Sequence, residues 1–405
     1  MALLSVADAL ARVLDGVQPL PGENASLTDA HGRVLSGDVV ALRTQPPADL
    51  SAMDGYAVRA RDVASVPATL KLVGEVAAGH PFEGSVGEGE AARIFTGGVV
   101  PPGADTIVIQ ENTARVGDRV TVTMPSAPGR HIRRAGLDFT AGQALLPRGR
   151  RLTDRDLMLA AAMNHAAVPV HRRPKIAVLG TGDELKPPGS SPGPGEIIYS
   201  NCFALMALAC GEGAEVIDLG VVADQVDATI AAVRRARQSG ADILLTTGGA
   251  SVGDYDLVQR GLAAEGLSLS FWRVALRPGR PMMHGRLGAM HVLGLPGNPV
   301  SAYVCAILFL VPLLRRLCGR ADFLSTAESA VLGCELPDND ERADYLRATL
   351  APGPDGKPVA TPVRVQDSSM MAALAKADCL VIREPHAPRA PAGSRCLILR
   401  LTRPF

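Results

Sequence analysis

The sequence is poor in the features that mark nucleic-acid-binding and disulfide-linked proteins. Only 3% of its 405 residues are aromatic, and its 41 basic residues equal its 41 acidic ones, so the net charge is zero. A surface without strong charge or aromatic stacking platforms does not favour nucleic acid or a membrane surface as a partner. The seven cysteines form no Cys-x-x-Cys pair, which is typical of reduced, buried thiols in a cytoplasmic protein.

Several common signatures are also missing. The chain has no Walker A motif, no Gly-x-Gly-x-x-Gly and no His-Glu-x-x-His, so the usual nucleotide and zinc-protease interpretations have no support. Its start lacks a basic leader before an apolar core, so we expect no targeting segment. The longest apolar run, residues 300–314, is shorter than a membrane span and contains Ser301 and Pro312. We therefore predict a buried helix there.

From Lys175 onward, short apolar runs alternate with helical stretches. Strands are predicted at 176–179, 216–222, 242–246 and 292–295, with helices between them. This alternation predicts a mostly parallel sheet between two helical layers, which is a three-layer α/β domain. Polar side chains follow these strands directly: Thr181, Asp183, Glu184, Asp224, Ser251 and Asp256. Because open α/β sheets bind ligands at the carboxyl ends of their strands, we expect a site at this edge.

The loop at 246–256 follows the third of these strands and opens into a helix. Its glycines, Gly248, Gly249 and Gly253, allow close backbone approach, and the free N–H groups of such a turn suit a phosphate. Asp254 and Asp256 add carboxylates that could hold a divalent cation. The alternative is an ordinary tight turn with an aspartate as helix N-cap.

The same loop fits the Gly-x-Ser-x-Gly pattern of a hydrolase nucleophile, with Ser251 at its centre. A serine hydrolase would then need one of His284, His291 and His386 as its base. The extra glycines and the acidic pair lengthen the loop beyond a sharp elbow, which disfavours this alternative.

Three arginines, Arg273, Arg277 and Arg280, precede a glycine-containing strand, and a Pro-Gly pair lies between the last two. The planar guanidinium group suits oxyanions, so these residues are candidate ligands for one. The alternative is a solvated charged edge.

The remaining segments predict three further units. Residues 57–130 contain short strands separated by Gly and Pro clusters, which indicates a small inserted β domain. The segment 43–57 that leads into it is either a crossover or a loop that presents side chains to a ligand. We predict a helical N-terminal domain I (1–46 plus 136–173), the inserted β domain II (47–135), the α/β domain III (174–321) and a C-terminal β-barrel-like domain IV (322–405). The fold class is therefore multidomain α/β and β.

At the level of motifs, the chain resembles the molybdopterin molybdenumtransferases, the MoeA-type enzymes that include the E domain of gephyrin. The resemblance rests on segments spread in order along the chain: 46–47, 51–58, 96–97, 102–106, 181–185, 247–256, 277–281 and 295–301. It implies an elongated homodimer of four-domain subunits that inserts molybdate into adenylylated molybdopterin and releases AMP with the help of Mg²⁺. It also implies a cleft between domain III of one subunit and domain II of the other.

Carried over by motif, the family's functional positions fall on residues of three kinds. The catalytic candidates are Asp54, Thr96, Asp138, Glu184, Asp224 and Asp256, and Glu184, Asp224 and Asp256 are the metal candidates. The substrate-binding candidates are Gly248, Gly249, Ser251, Gly253, Arg273, Arg277, Arg280, Pro296, Asn298, Pro299 and Ser368, with Arg342 as an addition.

The sequence departs from the family pattern in places. Arginine stands at or near positions where the family usually has lysine, and the chain has only five lysines in all. Leu50 and Leu137 replace an expected asparagine and an expected acidic residue. Two functions from different classes remain: the active enzyme, and a scaffold that binds the cofactor without turnover. A sister adenylyltransferase shares the α/β domain but lacks the flanking β domains, so we expect it as a partner rather than as the identity of this chain.

Overall fold

The computed structural model describes residues 3–248, 257–353 and 356–401. The described helices are α1 (Val6–Leu14), α2 (Asp154–Ala162), α3 (Asn201–Gly211), α4 (Val226–Gln238), α5 (Leu257–Ala264), α6 (Pro299–Cys305), α7 (Val311–Leu317) and α8 (Met371–Ala375). A π-helical turn, Ala306–Leu310, joins α6 to α7, and short 3-10 helices cover Ala60–Val63 and Gln110–Asn112.

The strands follow the same chain order. Those of the first part are β1 (Gly22–Ser26), β2 (Val39–Val40), β3 (Leu50–Ser51), β4 (Gly55–Val58), β5 (Ala68–Val76), β6 (Glu90–Ile94), β7 (Thr106–Ile109), β8 (Thr113–Val116), β9 (Arg119–Val122), β10 (Ile132–Arg133), β11 (Ala144–Leu146) and β12 (Ala167–His171). Those of the second part are β13 (Lys175–Thr181), β14 (Leu185–Lys186), β15 (Ile197–Ile198), β16 (Glu215–Val222), β17 (Ile243–Thr247), β18 (Ser268–Trp272), β19 (Leu276–Arg277), β20 (Met283–Leu287), β21 (Met290–Leu295), β22 (Glu328–Leu332), β23 (Ala343–Pro352), β24 (Pro358–Pro362), β25 (Cys379–Arg383) and β26 (Arg395–Arg400).

The central sheet has the order β16-β13-β17-β21-β20-β18. Its first four strands are parallel and its last two pair antiparallel. Helices α3, α6 and α7 pack on one face, and α4 and α5 pack on the other. Strands β17 and β21 are buried throughout, as expected of strands covered on both sides. The predicted alternation of strands and helices is therefore present.

The two predicted β regions form separate sheets. The inserted region forms a sheet in the order β7-β4-β6-β5-β9-β8, and alternate residues of β4 enter different apolar cores on its two faces. In the C-terminal region β23, β24, β22, β26 and β25 close into a five-stranded barrel, because β25 pairs back with β23. This confirms the predicted barrel-like fold. The short helix α8 was not predicted.

The predicted helical character of the N-terminal domain is wrong for most of its length. Apart from α1 and α2, the segments 3–46 and 136–173 form short strand pairs, β1 with β12 and β2 with β11. Helix α1 packs on the central sheet instead, since Ala9 and Val13 are fully buried in the same core as Phe271 and Leu314. The partners of these short strands are far apart in the sequence, so local periodicity could not reveal the pairing.

The long apolar helix lies in the core. Pro299–Leu317 is long and apolar enough to cross a membrane by length and composition, yet 83% of its most apolar window is buried inside the molecule. Proline at the first helical position of α6 suits a helix start, because the missing N–H would have no partner there. The predicted buried helix is confirmed.

Candidate functional site

The carboxyl ends of the four parallel strands lie side by side. The register places Thr181 opposite Val222 and Thr247 opposite Leu295. The segments that follow these strands therefore leave the sheet at one edge, which we call the strand-end edge. This edge carries the polar residues that the sequence pattern placed after each strand.

Three carboxylates gather at the strand-end edge. The backbone N–H of Asp224 donates to Oδ1 of Asp183 over 3.1 Å, which joins the ends of β13 and β16. Loss of hydration beside the strand ends raises the pKa of Asp224 above its usual value, and the negative charges of Asp183 and Glu184 raise it further. No ion pair of the described residues involves any of these three carboxylates. The cluster therefore carries uncompensated negative charge.

Gly248 lies close to the end of β13 at this edge. It has φ +92°, and a Cβ atom at this position would lie 2.4 Å from the carbonyl oxygen of Thr181. A side chain is therefore excluded by both conformation and space. The Thr181 hydroxyl oxygen is buried there without a hydrogen-bond partner among the described residues. The predicted residues Gly249, Ser251, Gly253 and Asp256 lie outside the described residues.

The loop after β21 is tied to two other parts of the chain. The side-chain amide of Asn298 donates to the Ser368 hydroxyl over 2.9 Å, and the Val300 N–H donates to the Ser368 carbonyl. The structure thus brings together two predicted residues from the α/β and barrel regions. The side chain of Asn201 donates to the Thr247 hydroxyl and to the Gly297 carbonyl, over 3.0 and 2.7 Å.

Sequence reasoning missed Asn201. It lies at the start of α3 and links two strand ends, although no loop motif surrounds it. The only signal in the sequence was an asparagine at a helix start after a long glycine- and proline-rich segment, and that pattern is common at helix caps. A mostly apolar cavity of about 380 Å³ adjoins this residue and Pro299, with α3, α6 and α8 as its walls.

The three candidate arginines have different surroundings. Arg273 has φ +80° and its guanidinium lies 5.8 Å from the centre of the Trp272 ring. Arg277 is paired with acidic groups that follow β22 and lie on β23. Arg280 is exposed, and its guanidinium has no hydrogen bond to any residue that the structure describes. Of the three, Arg280 is the most available to an external oxyanion, and the roles of all three stay predictions.

Arg277 is held by a set of residues that we call the junction cluster: Arg277, Asn339, Asp340, Arg342 and Asp344. Both carboxylate oxygens of Asp344 accept from Arg277, over 2.7 and 2.6 Å. Asp340 and Asn339 each accept one further hydrogen bond from its Nη atoms over 3.0 Å. These contacts raise the pKa of Arg277, chiefly through Asp344.

Two residues predicted in the inserted β region meet directly. Asp54 Oδ1 accepts from the Thr96 N–H and hydroxyl, over 2.7 and 2.8 Å. These hydrogen bonds lower the pKa of Asp54, the backbone one most strongly. Asp138 lies elsewhere and is exposed, with its own N–H bonded to the Gln45 carbonyl. Within the described part of the chain, no hydrogen bond links Asp54, Thr96 or Asp138 to the strand-end edge.

Two of the three candidate histidines do not favour the hydrolase alternative, and the third, His386, is exposed in the C-terminal region. His284 and His291 are buried side by side on β20 and β21, with 3.3 Å between their facing ring nitrogens. Burial lowers the pKa of His284 to about 4 and that of His291 to about 3, so both are neutral at physiological pH. Neither reaches solvent, where a general base would meet a substrate.

Three family models match the chain in order. Residues 4–164 match the profile "MoeA N-terminal region (domain I and II)", residues 177–316 match "Probable molybdopterin binding domain", and residues 329–401 match "MoeA C-terminal region (domain IV)". Two crystal structures of the molybdopterin biosynthesis MoeA protein from Pyrococcus horikoshii superpose with TM-scores of 0.86 and 0.83 at 29% and 27% identity. They cover 99% and 98% of this chain and all of the archaeal chain.

Three curated relatives are named as molybdopterin molybdenumtransferases. The molybdopterin molybdenumtransferase of Haemophilus influenzae is 33% identical over 98% of both chains. That of Nostoc is 40% identical over 74% of this chain and 70% of its own. Molybdopterin molybdenumtransferase 2 of Mycobacterium tuberculosis is 38% identical over 80% of this chain and 82% of its own. With its three matched regions in order and its sheet edge built as described, the chain belongs to the molybdopterin molybdenumtransferase (MoeA) family.

Proposed function

We propose that this protein inserts molybdate into adenylylated molybdopterin and releases AMP. The observation that carries the proposal is the strand-end edge, where uncompensated carboxylates, the close-packed turn at Gly248 and the Asn298–Ser368 contact meet. Relatives named for this reaction match the chain along nearly its whole length. Phosphate-containing ligands bind at such edges because backbone N–H groups point out of the turns.

Different residues would bind the phosphate, the molybdate and the pterin ring. Backbone N–H groups at Gly248 and in the glycine-rich sequence that follows would bind a phosphate of the substrate. The guanidinium of Arg280, which has no hydrogen bond to the described residues, would bind a molybdate oxygen, and Arg273 and Arg277 would be the neighbouring cations. The apolar cavity beside Asn201 and Pro299 would take the flat pterin ring.

The carboxylates fit a magnesium ion by their chemistry. Their donors are hard oxygen atoms, and the pKa of Asp224 is raised first by loss of hydration and then by the negative charges of Asp183 and Glu184. Among the described residues no group of three His, Cys, Asp or Glu side chains is close enough to hold a metal. Glu184 and Asp224 would therefore hold Mg²⁺ together with Asp256 or a substrate phosphate. Bound Mg²⁺ would offset the phosphate charge that develops as AMP leaves.

The proposal includes a cytoplasmic homodimer that shares its sites. Asp54, Thr96 and Asp138 have no hydrogen bond to the strand-end edge of their own chain in the described residues, so the partner subunit would supply them. Large apolar side chains at Leu42, Leu137 and Met158 are exposed and would suit a surface between two copies. A molybdopterin adenylyltransferase would deliver the substrate.

The test is molybdate-dependent release of AMP from adenylylated molybdopterin with Mg²⁺. We expect Glu184→Ala and Asp256→Ala each to abolish AMP release without unfolding the protein. Glu215→Ala is the matched control, because Glu215 begins β16 at the opposite end of the strand from Asp224, and among the described residues its ion pair is with Lys175. This control should retain full AMP release.

The scaffold hypothesis predicts a different result. A protein that binds adenylylated molybdopterin tightly and releases no AMP, with molybdate and Mg²⁺ present, would be a binding protein. Loss of AMP release in the Glu215 variant as well would show that the carboxylates act through general stability rather than at a site.

A further inference from the structure

The junction cluster holds two carboxylates in different ways. The side chain of Asp344 is only 9% exposed, and both of its oxygens bind Arg277. It lies on β23, which pairs with β19 where Arg277 itself lies, so the two side chains are fixed by neighbouring strands. Asp344 is therefore the anchor of Arg277.

Asp340 is more exposed, and one of its oxygens bridges two cations. Its side chain is 34% exposed. Oδ2 accepts from Arg277 over 3.0 Å and from Arg342 over 2.8 Å. One oxygen held by two guanidinium groups is the arrangement that a bound oxyanion would have with the same pair. Asp340 thus occupies the position of an oxyanion oxygen between Arg277 and Arg342.

The remaining partner of Arg277 cannot move aside in the same way. The amide nitrogen of Asn339 donates to the carbonyl oxygens of Arg342, Arg383 and Glu384, which fixes this side chain. Of the two carboxylate partners of Arg277, Asp340 is the more exposed, and apart from Arg277 its side chain is held only by Arg342 among the described residues. The Nε atom of Arg342 adds a buried donor without an acceptor among the described residues. Such a donor favours an additional oxygen nearby.

We propose that Asp340 is a competing carboxylate, which an oxyanion substrate displaces from Arg277 and Arg342 when it binds. The proposal rests on the proposed function, and it states that Asp340 controls which oxyanions bind at Arg277 and Arg342. Two guanidinium groups face the carboxylates of Asp340 and Asp344 in the resting cluster, and Glu341 adds a further negative charge near Arg277. When Asp340 turns into solvent, the net charge of the site becomes more positive by one unit. A doubly charged tetrahedral oxyanion profits from that charge more than a monoanion does, so Asp340 selects for dianions.

The competition operates across the physiological pH range. Hydrogen bonds from Arg342 and the charge of Arg277 lower the pKa of Asp340 to about 2. The carboxylate is thus ionised wherever the enzyme works, and its effect on oxyanion binding does not depend on a proton.

The test is direct binding of molybdate, measured by calorimetry on the full chain without any pterin substrate. Asp340→Asn removes the charge and keeps an oxygen that can accept from the Arg342 backbone N–H, as Oδ1 does now. Removal of an exposed ion pair that competes with the ligand should tighten molybdate binding about three- to tenfold. The gain in affinity should be smaller for the monoanion nitrate than for the dianion sulfate. During turnover, the Asp340→Asn variant should have a lower KM for molybdate and an unchanged kcat.

Asp338→Asn is the matched control. It makes the same change in charge two residues earlier, at a carboxylate that accepts from the Arg389 N–H and touches neither Arg277 nor Arg342. Its affinity for molybdate should stay within about twofold of the unaltered protein. Equal or weaker molybdate binding by the Asp340 variant than by this control would overturn the proposal, as would the absence of binding in all three proteins.

The outcome is independent of the proposed activity. Tighter molybdate binding in the Asp340 variant together with no AMP release would refute the transferase and retain the competing carboxylate. AMP release by the unaltered protein, without any gain in molybdate affinity in the Asp340 variant, would refute the competing carboxylate and retain the transferase.

Discussion

The strand-end edge and the junction cluster use acidic side chains in opposite ways. At the strand-end edge, Asp183, Glu184 and Asp224 lie close together, and the structure describes no cation that balances them. In the junction cluster, by contrast, each carboxylate binds a guanidinium. The first arrangement costs stability and prepares the protein for a cationic ligand, whereas the second stabilises the contact between the central domain and the barrel.

The comparison shows that the number of charged residues near a site says little about its role. What distinguishes a binding site from a structural contact is whether its charges are already satisfied by the protein. The same substitution, aspartate to asparagine, should therefore have opposite effects on the stability of the two regions.

The largest effect is expected for Asp224→Asn. Loss of one proposed metal ligand should lower the rate of AMP release about 100-fold. The free energy of unfolding should rise slightly, by less than about 1 kcal/mol, because one of three clustered negative charges is removed. Activity and unfolding are measured on the same preparation, and a decrease in both would contradict the proposed balance of charges.

A smaller effect, of opposite sign, is expected for Asp344→Asn. Arg277 would lose its bidentate partner, and the free energy of unfolding should fall by about 1–2 kcal/mol, less than for a fully buried pair since Arg277 is partly exposed. The control is Asp322→Asn, whose carboxylate also binds an arginine through both oxygens but is 72% exposed. If the two variants lose equal stability, burial of Asp344 does not matter.

The pH dependence of stability should differ in sign between the regions. The pKa of Asp340 is lowered to about 2 from an ordinary 3.8, so its stabilising contribution is complete above about pH 4 and is lost as the pH falls toward 2. The pKa of Asp224 is raised, so the folded state takes up its proton first, and stability rises as the pH falls through that raised value. Thermal unfolding of the Asp340→Asn and Asp224→Asn variants, measured across this range, separates the two contributions.

The smallest effect is expected for Arg280→Lys. Its guanidinium has no hydrogen bond to the described residues, so a lysine should serve an exposed oxyanion nearly as well, with KM for molybdate changed by less than about threefold. Arg277→Lys should act more strongly, because lysine cannot reproduce four hydrogen bonds in a planar arrangement. An equal change in the two variants would mean that the junction cluster does not discriminate between the two cations.

Much of the fold and part of the site could be predicted from the sequence. The apolar runs at 176–179, 242–246 and 292–295 predicted the parallel strands, because buried strands are continuous and apolar and end at glycine or proline. The placement of Asp183 and Asp224 at one edge followed from strand direction alone. The contact between Asn298 and Ser368 could not be predicted from strand direction, since it joins residues 70 positions apart.

The limits of prediction also have physical causes. The sequence predicts helical structure around α2 where the structure has strand pairs, because pairing over a long sequence separation leaves no local period. Arg277 and Arg280 look alike in the sequence, and only the approach of β23 to β19 distinguishes the paired cation from the free one.

The sequence by itself determined the family, the alternation of strands and helices in the central domain, and which polar residues follow its parallel strands. These depend on local hydrophobic pattern and on motifs, and both are written in consecutive residues. Only the tertiary structure decided which charges are satisfied and which remain for a ligand. That depends on distances of about 3 Å between residues far apart in the chain, such as Asp340 with Arg277, and these are set by packing rather than by any pattern along the sequence.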